Sequence, residues 1–343
     1  MIPLLMAGAI GLLISLLGTR YLVEWLRAHR VGQPIHDDVQ AHSAKAGTPT
    51  MGGVAIVVAA VGGYGVAHFS GGLVFTTSGM LVMLTIAAAG VVGALDDWIK
   101  VSHARNLGLS SRAKMGGLLV VAVGFAVAAV TWTDIETTVS FTRWNEPGWD
   151  IGSPLWVFLA VVLIVGTTNA VNLTDGLDGL AAGSALYAFG AMTVIGFWAF
   201  RHPDVYRVEA ALDLAVVAAA MVGATMGFLW WNAPPAQVFM GDTGSLALGA
   251  GLAALCLTLN TQLLLPIVGA LFVFETVSVI LQVGSFRLFH RRVLRMAPIH
   301  HHFELGGWPE TTVIIRFWLL ALMSTAVALG LYYADFVSTG ALD

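Results

Sequence analysis

Four short stretches of this chain carry side chains suited to phosphate chemistry. The first, Asp96-Asp97-Trp98-Ile99-Lys100, sets two carboxylates side by side with an ammonium four residues after the first. Adjacent carboxylates in an apolar setting repel, and each tends to hold a proton unless a cation intervenes. Mg²⁺ would supply that charge, because it takes oxygen ligands and keeps room for phosphate oxygens. On a helix Lys100 returns to the face of Asp96, where it can meet a phosphate or simply pair with the carboxylate. The second stretch places Asn169, Asn172, Asp175 and Asp178 at a period of three across Asn-Leu-Thr-Asp-Gly-Leu-Asp-Gly. Each three-residue step falls about 60° short of a helical turn. Convergence of all four groups on one ligand therefore requires a break in the helix, which Gly176 and Gly179 make plausible.

The third stretch, Phe239-Met240-Gly241-Asp242-Thr243-Gly244-Ser245, follows Asn232-Ala233-Pro234-Pro235. A Gly-rich turn at a helix N-terminus offers free N–H groups and a positive dipole end to phosphate or metal-phosphate, although Asp242 could equally cap the helix. The fourth, Pro298-Ile299-His300-His301-His302-Phe303-Glu304, follows a basic segment from Arg287 to Arg295. Three consecutive imidazoles cannot readily bind one zinc ion from a helix, and Cys256 is the only cysteine. Imidazoles that hydrogen-bond a diphosphate suit the oxygen-ligand chemistry better. The arginines read as an interfacial segment facing anionic lipid. Glu275 and Gln282, seven apart, share one helical face. Glu275 reads as a polar packing residue within a bundle, and Gln282 as a residue lining the site.

The elements that position these groups are transmembrane helices. The chain has 343 residues, of which 57% are apolar and 10% charged, and its mean hydropathy is +0.83. Soluble domains carry about 25% charged residues, so a soluble enzyme, a disordered chain and a disulfide scaffold are excluded. The net charge of −4 predicts no nucleic-acid partner. At roughly 20 residues per span, ten spans are expected, at 2–26, 50–69, 78–95, 115–133, 153–171, 179–200, 212–231, 245–262, 263–286 and 312–334. The weakest boundary is Asn260-Thr261-Gln262. The segment 134–152, with alternating residues and turn formers, predicts a small hairpin. The chain reads as one polytopic domain, 1–343, all-α in class.

Loops after odd-numbered spans hold eleven Lys and Arg, against Arg143, Arg201 and Arg207 on the other side. The basic side is expected in the cytoplasm. Both termini are then outside and all four motifs face the cytoplasm, where polar groups at a membrane boundary are costly without a ligand.

Together with Gly47-Thr48-Pro49-Thr50-Met51-Gly52-Gly53, these motifs resemble the polyprenyl-phosphate N-acetylhexosamine-1-phosphate transferase superfamily. Each is short, but five in the same order on one face make a specific signal. The triple histidine and the Gly-Thr-Pro-Thr-Met-Gly-Gly segment point to the muramoyl-pentapeptide branch. The resemblance implies transfer from UDP-N-acetylmuramoyl-pentapeptide to undecaprenyl phosphate, giving lipid I and UMP, with Mg²⁺ as cofactor. It also implies a ten-helix homodimer in the bacterial cytoplasmic membrane with a cytoplasmic cleft. By the same resemblance Asp242 is the metal ligand. Asp96 is the acid proposed to deprotonate the lipid phosphate, and Asp97, Lys100, Lys114, Asn172, Asp175 and His300 are further catalytic residues. Lys45, Thr50, Asn169, Asp178, Phe239, Gln282, His301 and His302 then line the substrate pocket. Rival readings are a sister enzyme using UDP-N-acetylglucosamine, a lipid-phosphate phosphatase, and a secondary transporter. A transporter would place its charges near the midplane and show paired repeats, and neither is found.

Overall fold

The computed structural model describes residues 1–29, 47–102 and 108–340; Lys45 lies outside the described residues. The long helices are α1 (Ile2–Ala28), α2 (Gly53–Gly71), α3 (Thr77–Ser102) and α4 (Ser111–Trp132). After the hairpin β1 (Thr138–Arg143) and β2 (Glu146–Asp150) come α5 (Gly152–Thr174), α6 (Leu180–Arg201) and the one-turn α7 (Pro203–Tyr206). The chain continues through α8 (Ala211–Asn232), α9 (Gly241–Thr258), the one-turn α10 (Leu265–Val268), α11 (Ala270–Phe289), the short α12 (Ile299–Glu304) and α13 (Glu310–Ser338). Among the described residues, nine helices are long and apolar enough to cross a membrane. The expected eighth span, 245–262, is α9, which falls outside those nine. Its eighteen residues begin with Gly, Asp and Thr, and every residue from Asp242 to Thr258 is buried.

Helices are the outcome because lipid offers no partner for backbone N–H and C=O groups. The outer surface follows the same logic. Leu5, Leu13 and Leu17 on α1, Val120 and Val127 on α4, and Leu319, Met323 and Val327 on α13 are all exposed, as a lipid-facing belt requires. Inside it, α9 packs against α2, α3, α5, α6 and α8, and α1 packs against α2 and α8. On α8, Gly223 and Gly227 let the backbones of α8 and α1 approach closely, the small-residue packing typical of membrane helices.

Several boundaries differ from expectation: α3 runs on to Ser102, which carries Asp96, Asp97 and Lys100 inside the helix, and three starts shift for local reasons. The second span starts at Gly53, because residues 49–53 bond to the segment just before α9, with Met51 turning at φ +74°. There Phe239 N donates to Pro49 O (2.8 Å), while Gly52 N donates to Phe239 O (2.9 Å) and Gly53 N to Met240 O (2.8 Å). The eighth starts at Gly241, which brings Asp242 into the first turn of α9. The ninth starts at Ala270, after a turn begun by Asn260 at φ +54°. The expected helix break within the Asn/Asp motif is present: α5 ends at Thr174, Gly179 has φ +75°, and α6 starts at Leu180.

The hairpin forms as expected, with Thr138 opposite Asp150 and Val139 opposite Trp149. It is tied to α13 by Arg143, whose Nε and Nη2 donate to the two oxygens of Asp335 (2.9 and 3.1 Å), and by the Thr142 hydroxyl (2.6 Å). Bidentate Arg–carboxylate pairs are among the stronger polar contacts. Arg143→Ala should therefore lower stability by about 1–3 kcal/mol and leave transferase turnover unchanged. Thermal unfolding in detergent beside an activity assay tests this, and a large loss of turnover would show that the hairpin end reaches the site.

Candidate active site

Asp96 and Asp97 lie in the last two turns of α3, and Asp242 in the first turn of α9. One oxygen from each of the three carboxylates falls within 4.8 Å of the others, and all three side chains are buried. Their partners divide the work. Asp97 accepts from Asp242 N (3.0 Å), Thr243 N (2.9 Å) and the Thr243 hydroxyl (2.7 Å). It thus caps the N-terminus of α9, where a carboxylate meets free amides and the positive dipole end. Asp242 accepts from Lys100 Nζ (2.9 Å) and Lys114 Nζ at one oxygen, and from Asn172 Nδ2 (2.6 Å) at the other. Asp96 pairs with Lys100 (2.7 Å) and accepts from Leu109 N (2.8 Å). Three carboxylates face two ammonium groups, so one negative charge is left uncompensated.

That residual charge, together with an all-oxygen donor set, fits a hard divalent cation such as Mg²⁺. Asp242 and Asp96 would hold it, because both pair with lysine ammonium groups that a cation can displace, whereas Asp97 is committed to the backbone amides and the Thr243 hydroxyl of α9. Asp175 lies just past α5 beside this cluster. Burial pushes its carboxyl well above the ordinary carboxylate range, and the charges of Asp242, Asp97 and Asp178 push it further.

The remaining motif residues frame the centre. Asn172 also donates to Ser245 Oγ (2.9 Å), which ties the end of α5 to α9. Asn169, one turn earlier, donates to Val165 O on its own helix (2.7 Å). Asp178 accepts from Ala236 N (3.0 Å), and Gly179 N donates to Asn232 Oδ1 (3.0 Å), so the Asp175–Gly179 turn is clamped to the segment that precedes α9. Phe239 is half-buried in that segment. Thr50 is fully buried, and its hydroxyl has no hydrogen-bond partner among the described residues.

The histidines take three different environments. His300 is fully buried, with Nδ1 3.0 Å from Glu275 Oε2. His301 Nδ1 lies 2.7 Å from Glu304 Oε2. His302 Nδ1 accepts from Arg295 N (3.0 Å), which assigns the proton of a neutral ring to Nε2. His300, expected as a catalytic residue, is enclosed, with no surface of its ring open. Gln282 is likewise committed: it accepts from Val293 N (3.0 Å) and Leu294 N (2.9 Å) and donates to Leu294 O (3.0 Å). It fixes the segment leading to α12.

Of the sequence-expected residues, Asp96, Asp97, Lys100, Lys114, Asn172 and Asp242 thus touch one another directly, with Asp175 beside them. Asn169, Asp178, Gln282 and the histidines make their described contacts elsewhere. Two contributors were missed, Thr243 and Ser245. Both sit in the Asp-Thr-Gly-Ser sequence already singled out, whose hydroxyls at the start of a helix were the available signal.

Comparison with known proteins agrees with this geometry. A family model described as glycosyl transferase family 4 matches residues 79–260. A phospho-N-acetylmuramoyl-pentapeptide-transferase signature matches residues 45–57. The chain is similar to proteins named phospho-N-acetylmuramoyl-pentapeptide-transferase from Frankia casuarinae (47% identical), Frankia alni (48%) and Thermobifida fusca (48%). Each comparison covers 98% of this chain and at least 98% of the relative. With the matched region running from the start of α3 past the end of α9, and so through the whole carboxylate cluster, this chain belongs to the phospho-N-acetylmuramoyl-pentapeptide-transferase family.

Proposed function

We propose that this protein transfers phospho-N-acetylmuramoyl-pentapeptide from UDP to undecaprenyl phosphate. The products are lipid I and UMP, and the reaction is the first membrane step of peptidoglycan synthesis. The observation that carries the reading is the buried Asp96–Asp97–Asp242 cluster with Lys100, Lys114 and Asn172 converging on Asp242. Its setting is the bacterial inner membrane with the cluster facing the cytoplasm. The placement of eleven Lys and Arg on the side of the chemical motifs supports this orientation.

In the reaction, an oxygen of the lipid phosphate attacks the phosphorus bonded to the sugar. A new P–O bond forms there, and the bond to UMP breaks. Such transfers are accelerated mainly by positioning and by compensating charge on the phosphoryl oxygens. Lys100 and Lys114 can each turn from Asp242 toward a diphosphate. Asp96 and Asp242 would hold a Mg²⁺ ion, which when bound would neutralise charge on the diphosphate. Asn172 keeps Asp242 in register with α5.

The test is UMP release by detergent-purified protein with undecaprenyl phosphate and either donor, in Mg²⁺ or excess EDTA. Mg²⁺-dependent UMP from the muramoyl-pentapeptide donor alone is expected. UMP from UDP-N-acetylglucosamine would move the protein to the sister branch, and full activity in EDTA would remove the metal from the reading.

A further inference from the structure

Glu275, in the interior of α11, and His300, in α12, are both fully buried, and each is the other's only side-chain polar partner among the described residues. Their 3.0 Å approach joins two elements that otherwise meet through apolar contacts. Burying a carboxylate beside an imidazole is costly, and well-packed apolar side chains in such places often leave a fold as stable or more so. Simple adhesion of α12 to α11 therefore does not account for the pair.

Its geometry suggests what does. Six residues are too few for α12 to hold its own orientation, so its contacts set its rotation: Glu275 at His300, Arg295 N at His302, and Trp308 and Phe317 at Phe303. The contact with Glu275 also fixes the plane of the His300 ring. The opposite edge of that ring, Nε2, lies against Gly176, close enough that a side chain at 176 would collide with it. Gly176 sits between Asp175 and the Asp178–Gly179 clamp, directly after the helix end whose Asn172 holds Asp242.

We infer that Glu275 is a positioning residue. It orients His300 through Nδ1, and His300 in turn sets the Asp175–Gly179 turn and with it the placement of Asp175 and Asn172 about Asp242. The inference rests on the reading of Asp242 as the reaction centre. It gives His300 a role that needs no contact with substrate, in keeping with its complete burial.

The test compares Glu275→Leu, Glu275→Gln, His300→Ala and the double variant Glu275→Leu/His300→Ala. Gln keeps the length and offers a carbonyl oxygen to Nδ1–H, whereas Leu fills the space and offers none. Expected are a fall in kcat of at least about tenfold for Glu275→Leu with the nucleotide-sugar KM within about threefold, and recovery of most of kcat in Glu275→Gln. The double variant should be no worse than His300→Ala by more than about threefold, since both substitutions break one unit. Unchanged kcat in Glu275→Leu, or single effects that multiply in the double variant, would overturn the inference.

A second readout is independent of turnover. The ¹⁵N signals of His300, identified by their loss in His300→Ala, should place a proton on Nδ1 in the parent and in Glu275→Gln. In Glu275→Leu that proton should move to Nε2. A proton on Nε2 alone in the parent, or its transfer there in Glu275→Gln, would overturn the inference even if Glu275→Leu fails to fold. A parent protein with the expected ¹⁵N pattern but no UMP release would instead count against the functional reading and leave the pairing intact.

Discussion

Asp242→Asn should reduce kcat by at least about 100-fold and leave the melting temperature almost unchanged. The substitution is isosteric, and the contact between position 242 and Asn172 can persist through the amide oxygen. The new amide group would face the two ammonium groups, but both lysines are partly exposed (18% and 21%) and can turn to water, and Lys100 keeps Asp96 as a partner (2.7 Å), so the fold loses little. What disappears is the negative charge on which two ammonium groups converge, and with it one of the two carboxylates placed to take a divalent cation. UMP release and thermal unfolding on the same preparation check both halves. Activity within about tenfold of the parent would displace Asp242 from the centre of the reaction.

Asp97→Asn should behave differently, and the contrast is informative. Asp97 uses both oxygens to receive the first amides of α9 and the Thr243 hydroxyl. An asparagine there turns one acceptor into a donor that faces an N–H group. A buried donor without a partner costs about 1–3 kcal/mol, and loss of the carboxylate from the helix N-terminus adds up to about 2 kcal/mol. The melting temperature should drop by several degrees, unlike that of Asp242→Asn, and kcat should fall about 10- to 100-fold because Asp242 is no longer held in place. A variant with full stability and abolished turnover would make Asp97 a participant in the chemistry, against the capping role. A variant with both intact would dismiss the cap.

The two neighbours show how far the sequence could be read. Side by side in the chain, Asp96 and Asp97 look equivalent, and both were expected to be catalytic. On a helix they point about 100° apart, so one meets Lys100 and Leu109 while the other meets α9. Which neighbour stands on which side is tertiary information. The order of motifs, the break at Gly176 to Gly179, the return of Lys100 to Asp96 and the hairpin were all legible, because each depends on local spacing. The convergence of Lys114 and Asn172 on Asp242 was reachable only through resemblance, since three separate helices must pack to create it. The burial of His300 was not legible. Three adjacent histidines near a basic segment suggest a surface, and only the packing of α11 on α12 reveals the inward one.

Polar residues outside the motifs were harder still. At the opposite end of the bundle from Asp242, Asp213 accepts from Tyr64 OH (3.1 Å) and from Thr76 N (2.8 Å), and lies 2.9 Å from His68 Nε2. The residues come from α2, α8 and the segment before α3. Nothing in their spacing announces a common site, because the knot is a product of helix packing alone.

The complete burial of α9 bears on how the protein meets membranes of different thickness. Exposed leucines and valines on α1, α4 and α13 adjoin the acyl chains, and these peripheral helices can tilt when the hydrocarbon layer thins or thickens. The helix that carries Asp242 is packed within the bundle from Asp242 to Thr258, so the depth of the reaction centre is set by its helix neighbours and not by lipid length. Mechanical strain from the bilayer is taken up at the rim, and a cell that remodels its acyl chains with temperature can do so without retuning this step.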